Sequence, residues 1–153
     1  MTNQRSASPQ HHAPVTVIGL GPMGLALAET LLEHGHPTTD WNRTPEKADS
    51  LVTKGVHRAG TVAEAVSASP VTIMCLKDYE TMYAVLDSAG DALKGRALVN
   101  LNSGTPNEAH AAVSWATERG EDVFDKHRAT LAGMGAPRFH TTLRRTTDRA
   151  NAA

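Results

Sequence analysis

Apolar and polar positions fall in blocks along this chain, and the blocks switch between two periods in a regular beat. "VTVIGL" (15–20) is a short β-branched run stopped by glycine, the pattern of a parallel strand covered on both faces. "PMGLALAETLLEHG" (22–35) then takes helical spacing, with Pro22 near its start and Gly35 at its stop. "PTTDWN" (37–42) predicts a second strand. "TPEKADSLVTKG" (44–55) predicts a second helix, capped by Thr44 and with Pro45 in its first turn. "VHR" (56–58) is a short third strand. "TVAEAVSAS" (61–69) opens another helix with Thr61 and Glu64 at capping-box spacing. "PVTIMCL" (70–76), "DYETMYAVLDSAGDAL" (78–93) and "RALVNL" (96–101) give strand, helix and strand. "TPNEAHAAVSWATERG" (105–120) repeats the cap pattern with Thr105, Pro106 and Glu108, and "EDVFD" (121–125) predicts a sixth strand.

Strands alternating with helices in this way predict parallel βαβ units. The expected fold is α/β, a Rossmann-like doubly wound parallel sheet in a three-layer α/β/α arrangement. Three segments follow: a disordered arm over 1–13, the α/β domain over 14–125, and a basic, irregular tail over 126–153. The arm has no apolar core that would make it a secretory signal. No apolar run reaches the length of a membrane span. One cysteine, Cys75, excludes an intrachain disulfide framework and fits a reducing, cytoplasmic setting.

Charge separates the tail from the rest. Up to Asp125 there are nine Lys/Arg against fifteen Asp/Glu; after it, six against one. A basic tail attracts polyanions. This one has neither interleaved aromatics nor helical spacing, so no specific nucleic-acid binding is expected.

"GLGPMG" (19–24) is a G-x-G-x-x-G that leaves an apolar strand and enters a helix, the context a dinucleotide site requires. Gly19 permits the tight turn, Gly21 lets the backbone approach a pyrophosphate, and Gly24 lets helix and strand pack closely. Amides at the helix start attract the phosphates. About 20 residues beyond such glycines, an NAD site usually carries Asp or Glu for the ribose hydroxyls. Asn42 holds that place here, followed by "RTPEK". A neutral Asn42 does not repel an added phosphate. Arg43 offers a planar fork for one, Lys47 a second charge, and Thr44 a hydroxyl and an amide. These residues favour NADPH over NADH. No histidine pair outside the arm has helical metal-ligand spacing, and neither a nucleophile elbow nor a P-loop is present, so no metal site is expected.

"VTVIGLGPMG", "WNRTPEKA", "CLKDYE" and "LVNLNSGTPNEA" together resemble the N-terminal domain of the NADPH-dependent imine reductases, within the wider group of 6-phosphogluconate and β-hydroxyacid dehydrogenases. The likeness runs over about 15–125. It implies an oxidoreductase that moves a hydride from NADPH to a C=N or C=O substrate. Leu20, Pro22 and Met23 would join the glycines around the pyrophosphate, and Asn42, Arg43, Thr44 and Lys47 would hold the 2′-phosphate. Cys75 and Leu76 would line the path toward the nicotinamide, which Asn102 and Ser103 would approach. Read from the residues alone, Cys75 equally fits a small buried hydrophobe, and Asn102 and Ser103 fit turn positions before the Thr105 cap. A β-hydroxyacid dehydrogenase relative and a non-catalytic dinucleotide-binding module are the alternative readings.

Two departures from the family stand out. Asp40 sits where related strands carry an apolar residue, and an unpaired buried carboxylate is costly. The helical C-terminal domain of the family is absent from this sequence. That domain carries the family's proton donor and builds its dimer. No catalytic residue is therefore expected here, and an imine or carbonyl substrate would need a second domain supplied. Exposed edges would leave a homo-oligomer open, and the tail reads as a frame-shifted or truncated end.

Overall fold

In a computed structural model the described residues are 12–119 and the backbone of the last strand, Asp122–Asp125. The expectations for residues 1–11 and for the tail after 125 lie outside the described residues.

Each apolar block of the sequence becomes a strand of one six-stranded, all-parallel sheet. The strands are β1 (Val15–Ile18), β2 (Thr38–Trp41), β3 (His57–Arg58), β4 (Val71–Met74), β5 (Ala97–Asn100) and β6 (Asp122–Asp125). Their spatial order is β3-β2-β1-β4-β5-β6, so the chain starts in the middle, winds outward, crosses over and winds out the other way. The crossover puts the switch point between β1 and β4, where open α/β sheets bind ligands. The helices are α1 (Pro22–Glu33), α2 (Asp49–Val52), α3 (Val62–Ser67), α4 (Tyr79–Asp87) and α5 (Pro106–Thr117).

Successive β1 residues point to opposite faces and seed two cores. Val17 joins Leu20, Ala28, Leu51 and Val56 under α1 and α2. Ile18 joins Val66, Met74, Leu86, Leu98 and Ala112 under α3, α4 and α5. The doubly wound, three-layer fold is as expected.

Local differences have identifiable causes. The second predicted helix breaks into a 3-10 turn, Pro45–Ala48, followed by the short α2. Thr44 occupies the cap position but its side chain makes no cap hydrogen bond, a correction to its expected role. Its carbonyl instead accepts from the Lys47 amide, closing a tighter turn. Thr61 accepts from the Glu64 amide, but the Glu64 carboxylate reaches back to the Gly60 amide at 2.8 Å, one residue before the expected one. Only α5 carries the full reciprocal box, between Thr105 and Glu108. The fourth helical stretch ends at Asp87 and resumes as a 3-10 turn, Gly90–Leu93, entered through Gly90 with a positive φ of 54°.

Asp40 is the anomaly of the sheet. It lies between Val17 and Arg58 in register, so its side chain points into the core under α1 and α2. It is fully buried, and neither carboxylate oxygen has a hydrogen-bond partner among the described residues. Arg58 directs its guanidinium to Asp49 at the start of α2 instead. Burial pushes the Asp40 carboxyl up to about 6, against the opposing pull of Arg58 and His57. The folded chain therefore holds a proton that the unfolded chain has lost between pH 4 and 6, and stability falls as pH rises through that window. From pKa 3.8 to about 6 the loss is about 3 kcal/mol. Asp40→Val is expected to raise the melting temperature at pH 7.5, with the gain shrinking as pH falls toward 4. Urea denaturation of both proteins across that range tests this, and equal stability at neutral pH would show that Asp40 costs nothing.

Candidate functional site

Four loops meet above the C-terminal ends of β1, β2, β4 and β5, and three glycines decide how closely. Gly19 has φ +95°, a left-handed conformation that disfavours side chains, and a Cβ there would run into the Cys75 carbonyl oxygen. A Cβ on Gly24 would run into the Gly19 carbonyl oxygen, so α1 can sit this close to β1 only without a side chain. Gly21 is different. Its backbone is ordinary extended chain, and a Cβ there would meet nothing within 4 Å among the described residues. The packing of this chain explains Gly19 and Gly24 but leaves Gly21 unexplained. A bare backbone at that point keeps open the space directly over the start of α1.

The electrostatics of that space favour an anion. Side chains cap the starts of α3, α4 and α5, namely Thr61, Asp78 and Thr105, and each of those helices has an acid in its first turn. The start of α1 has neither a side-chain cap nor an acid. Its first amides face outward with the positive end of the helix dipole behind them. Beyond β2, Arg43, Thr44 and Lys47 are all exposed. Among the described residues, Lys54, Arg58 and Lys94 are held in ion pairs by Glu29, Asp49 and Asp91, whereas Arg43 and Lys47 form none.

The other expected site residues divide. Gly21, Pro22 and Met23 face the crevice rim, Met23 with 52% of its surface exposed. Ser103 is exposed, while Cys75 and Leu76 are half-buried at the end of β4. Leu20 corrects the expectation for its side chain, which is buried among Val17, Ala28 and Leu51; only its backbone can border a ligand. Asn102 is corrected likewise. It is fully buried, its Oδ1 accepts the Leu76 amide at 2.7 Å, and its Nδ2 donates to the Asp78 carbonyl at 3.3 Å. Asn42 is half-buried, with Oδ1 accepting the Leu20 amide at 2.9 Å and Nδ2 donating to the Thr44 carbonyl at 3.0 Å.

Sequence reasoning missed three supports of these loops. Asp78 caps α4 by accepting the Thr81 amide at 2.8 Å, and hydrogen bonding holds its carboxyl below the usual carboxylate range. An Asp just before the first helical position was the available signal. Asn100, at the end of β5, accepts the Asn102 amide at 3.0 Å. Gly104 packs against the Tyr79 ring so closely that a Cβ would collide with it.

The sequence profile of the NAD binding domain of 6-phosphogluconate dehydrogenase matches residues 14–127. An NADPH-dependent reductive aminase of Aspergillus oryzae is 41% identical over 106 residues, which cover 69% of this chain and 36% of that protein. Among solved structures, an imine reductase from Bacillus cereus matches with a TM-score of 0.72 at 47% identity, over 74% of this chain and 40% of that one. A reductive aminase from Aspergillus terreus, in complex with NADPH4, cyclohexanone and allyl amine, matches with a TM-score of 0.71 at 40% identity. It too covers 74% of this chain and 40% of its own. The chain thus spans about two-fifths of the length of these relatives.

The contrast between the glycines is measurable without any ligand. Gly24→Ala is expected to cost at least about 2 kcal/mol, because backbone rather than a flexible side chain stands in the way. Gly21→Ala should stay within about 1 kcal/mol of the parent. Urea denaturation of the two variants checks this, and equal losses would show that Gly21 is held by packing after all.

Proposed function

Because this chain belongs to the family of the NAD binding domain of 6-phosphogluconate dehydrogenase, we propose that its crevice holds NADPH and serves a reductase acting on imine or carbonyl carbon. The observation that carries this is Gly21: a glycine that the fold does not need, placed where a dinucleotide pyrophosphate must approach the backbone. When bound, NADPH supplies a hydride, and this chain's own residues hold and orient the carrier.

The parts sort by chemistry. Gly21, Pro22, Met23 and Gly24 form the bare, uncapped start of α1, where a diphosphate gains from exposed amides and the dipole. Arg43, Thr44 and Lys47 take the 2′-phosphate, since two exposed cations without ion-pair partners and a hydroxyl converge on one turn. At the end of β2, where NAD sites usually carry an acid, Asn42 is neutral, so no carboxylate at that position repels an added phosphate; Glu46 lies further along, in the turn that follows. Cys75, Leu76 and Ser103 border the route from the switch point toward the nicotinamide end. None of the described residues is assigned the proton to be delivered to the substrate. Relatives named as imine reductases and reductive aminases, one of them in complex with NADPH4, a ketone and an amine, support the substrate class.

A fluorescence titration with NADPH and, in parallel, NADH tests the reading. Micromolar NADPH binding is expected, with NADH at least tenfold weaker. Arg43→Ala is expected to weaken NADPH by roughly tenfold or more while leaving NADH nearly unchanged, since a hydrogen bond between ions contributes about 1.5–3 kcal/mol. Equal affinity for the two cofactors in the parent chain would overturn the assignment of the 2′-phosphate site.

A further inference from the structure

An asparagine lies just beyond the end of each of the two strands flanking the central pair, and the two asparagines bond alike. β2 is followed by Asn42 and β5 by Asn102. The Asn42 Oδ1 accepts the amide of Leu20, two residues beyond the end of β1. The Asn102 Oδ1 accepts the amide of Leu76, two residues beyond the end of β4. Each Nδ2 then donates to a loop carbonyl, Thr44 for Asn42 and Asp78 for Asn102. Flipping either amide would set an NH2 against an N–H donor and an oxygen against a carbonyl, so only a carboxamide satisfies both ends. The two halves of the sheet thus carry matching clips across the switch point. One joins the β1–α1 loop to the turn that bears Arg43 and Thr44. The other joins the β4–α4 loop to the loop that bears Ser103.

We infer that Asn42 and Asn102 are positioning residues, which hold the two walls of the crevice in place for a dinucleotide and act through the backbone they clip. The inference rests on the dinucleotide reading of the site. Asn102 is fully buried, so a ligand in the crevice meets the loops it ties together and not its side chain. At Asn42 the consequence concerns cofactor choice. An aspartate there would still accept the Leu20 amide, but its second oxygen would face the Thr44 carbonyl in place of the N–H that now bonds it. The acid that reads a ribose in NAD sites would therefore loosen the turn that bears Arg43 and Thr44. Cofactor choice and loop geometry are coupled through one amide.

The test combines amide hydrogen exchange of the unliganded chain with titration of NADPH and NADH, on the parent and on Asn42→Asp, Asn42→Ala and Asn102→Ala. Exchange at Leu20 should quicken in Asn42→Ala and at Leu76 in Asn102→Ala, with core amides such as Val17 and Leu98 still protected. Both alanine variants should weaken NADPH and NADH alike, by roughly tenfold for the two lost hydrogen bonds and the loop order they maintain. Asn42→Asp should lose NADPH affinity without gaining NADH affinity. If Asn102→Ala unprotects the core, Asn102→Leu, which keeps the volume and removes both hydrogen bonds, takes its place under the same expectation. NADH binding that tightens in Asn42→Asp would show that residue 42 reads the ribose directly, and the inference falls. It falls also if the alanine variants bind NADPH as the parent does, or if exchange at Leu20 and Leu76 is unchanged. A parent chain that binds neither dinucleotide would instead sink the reading of the site, and this inference with it.

Discussion

No side chain fits between the start of α1 and the ends of β1 and β4. A Cβ on Gly24 would strike the Gly19 carbonyl and one on Gly19 would strike the Cys75 carbonyl, so three stretches of backbone touch directly at the switch point. That contact lets α1 leave β1 with its uncapped start at the switch point. It also brings Cys75 and Leu76 beside the glycine turn, though half the domain separates them in sequence. The remaining loops are fastened to this point: Gly19 donates to the Trp41 carbonyl and Cys75 to the Ile18 carbonyl, tying β2, β1 and β4 together just below the crevice.

Around that fixed point the helix starts and the cations differ in how they are partnered. Thr61, Asp78 and Thr105 close the starts of α3, α4 and α5. α1 is left without a cap, and Arg43 and Lys47 lack the carboxylate partners that Lys54, Arg58 and Lys94 have. An uncapped helix start beside two exposed cations costs stability in the empty protein and returns it on binding an anion. Asp40 is a different kind of exception. It lies in the sheet below the crevice, its oxygens are unpartnered and its natural counter-ion is engaged by Asp49, so it raises the free energy of the fold with no gain visible in the described residues.

The comparisons fit this division. The profile match and the imine reductase and reductive aminase structures align over the part of the chain that forms the sheet and its loops. Within that part lie all the residues assigned to the cofactor. The substrate side of the reaction has no counterpart among them, and the residues proposed for the site all serve the cofactor.

Much of this could be read from the sequence because the signals were local. Strand and helix periods, the G-x-G-x-x-G turn, the Thr105 cap and the cationic turn after β2 each occupy a few consecutive residues, and their physics acts at that range. Asp40 was legible for the same reason, as one charged residue in an apolar run. The pattern also gave Gly24 to packing and Gly21 to a ligand, but it could not show that the Cys75 carbonyl, from a distant strand, is what bars a side chain at Gly19. Nor could it show that Asn42 and Asn102 bond to neighbouring loops. Their partners, Leu20 and Leu76, are 22 and 26 residues away along the chain. Composition and spacing determined that this chain would wind a parallel sheet and present glycines and cations at its ends. The choice of side chains that face the crevice and side chains that brace it was left to tertiary packing, because hydrogen bonds between loops exist only once the sheet has brought the loops together.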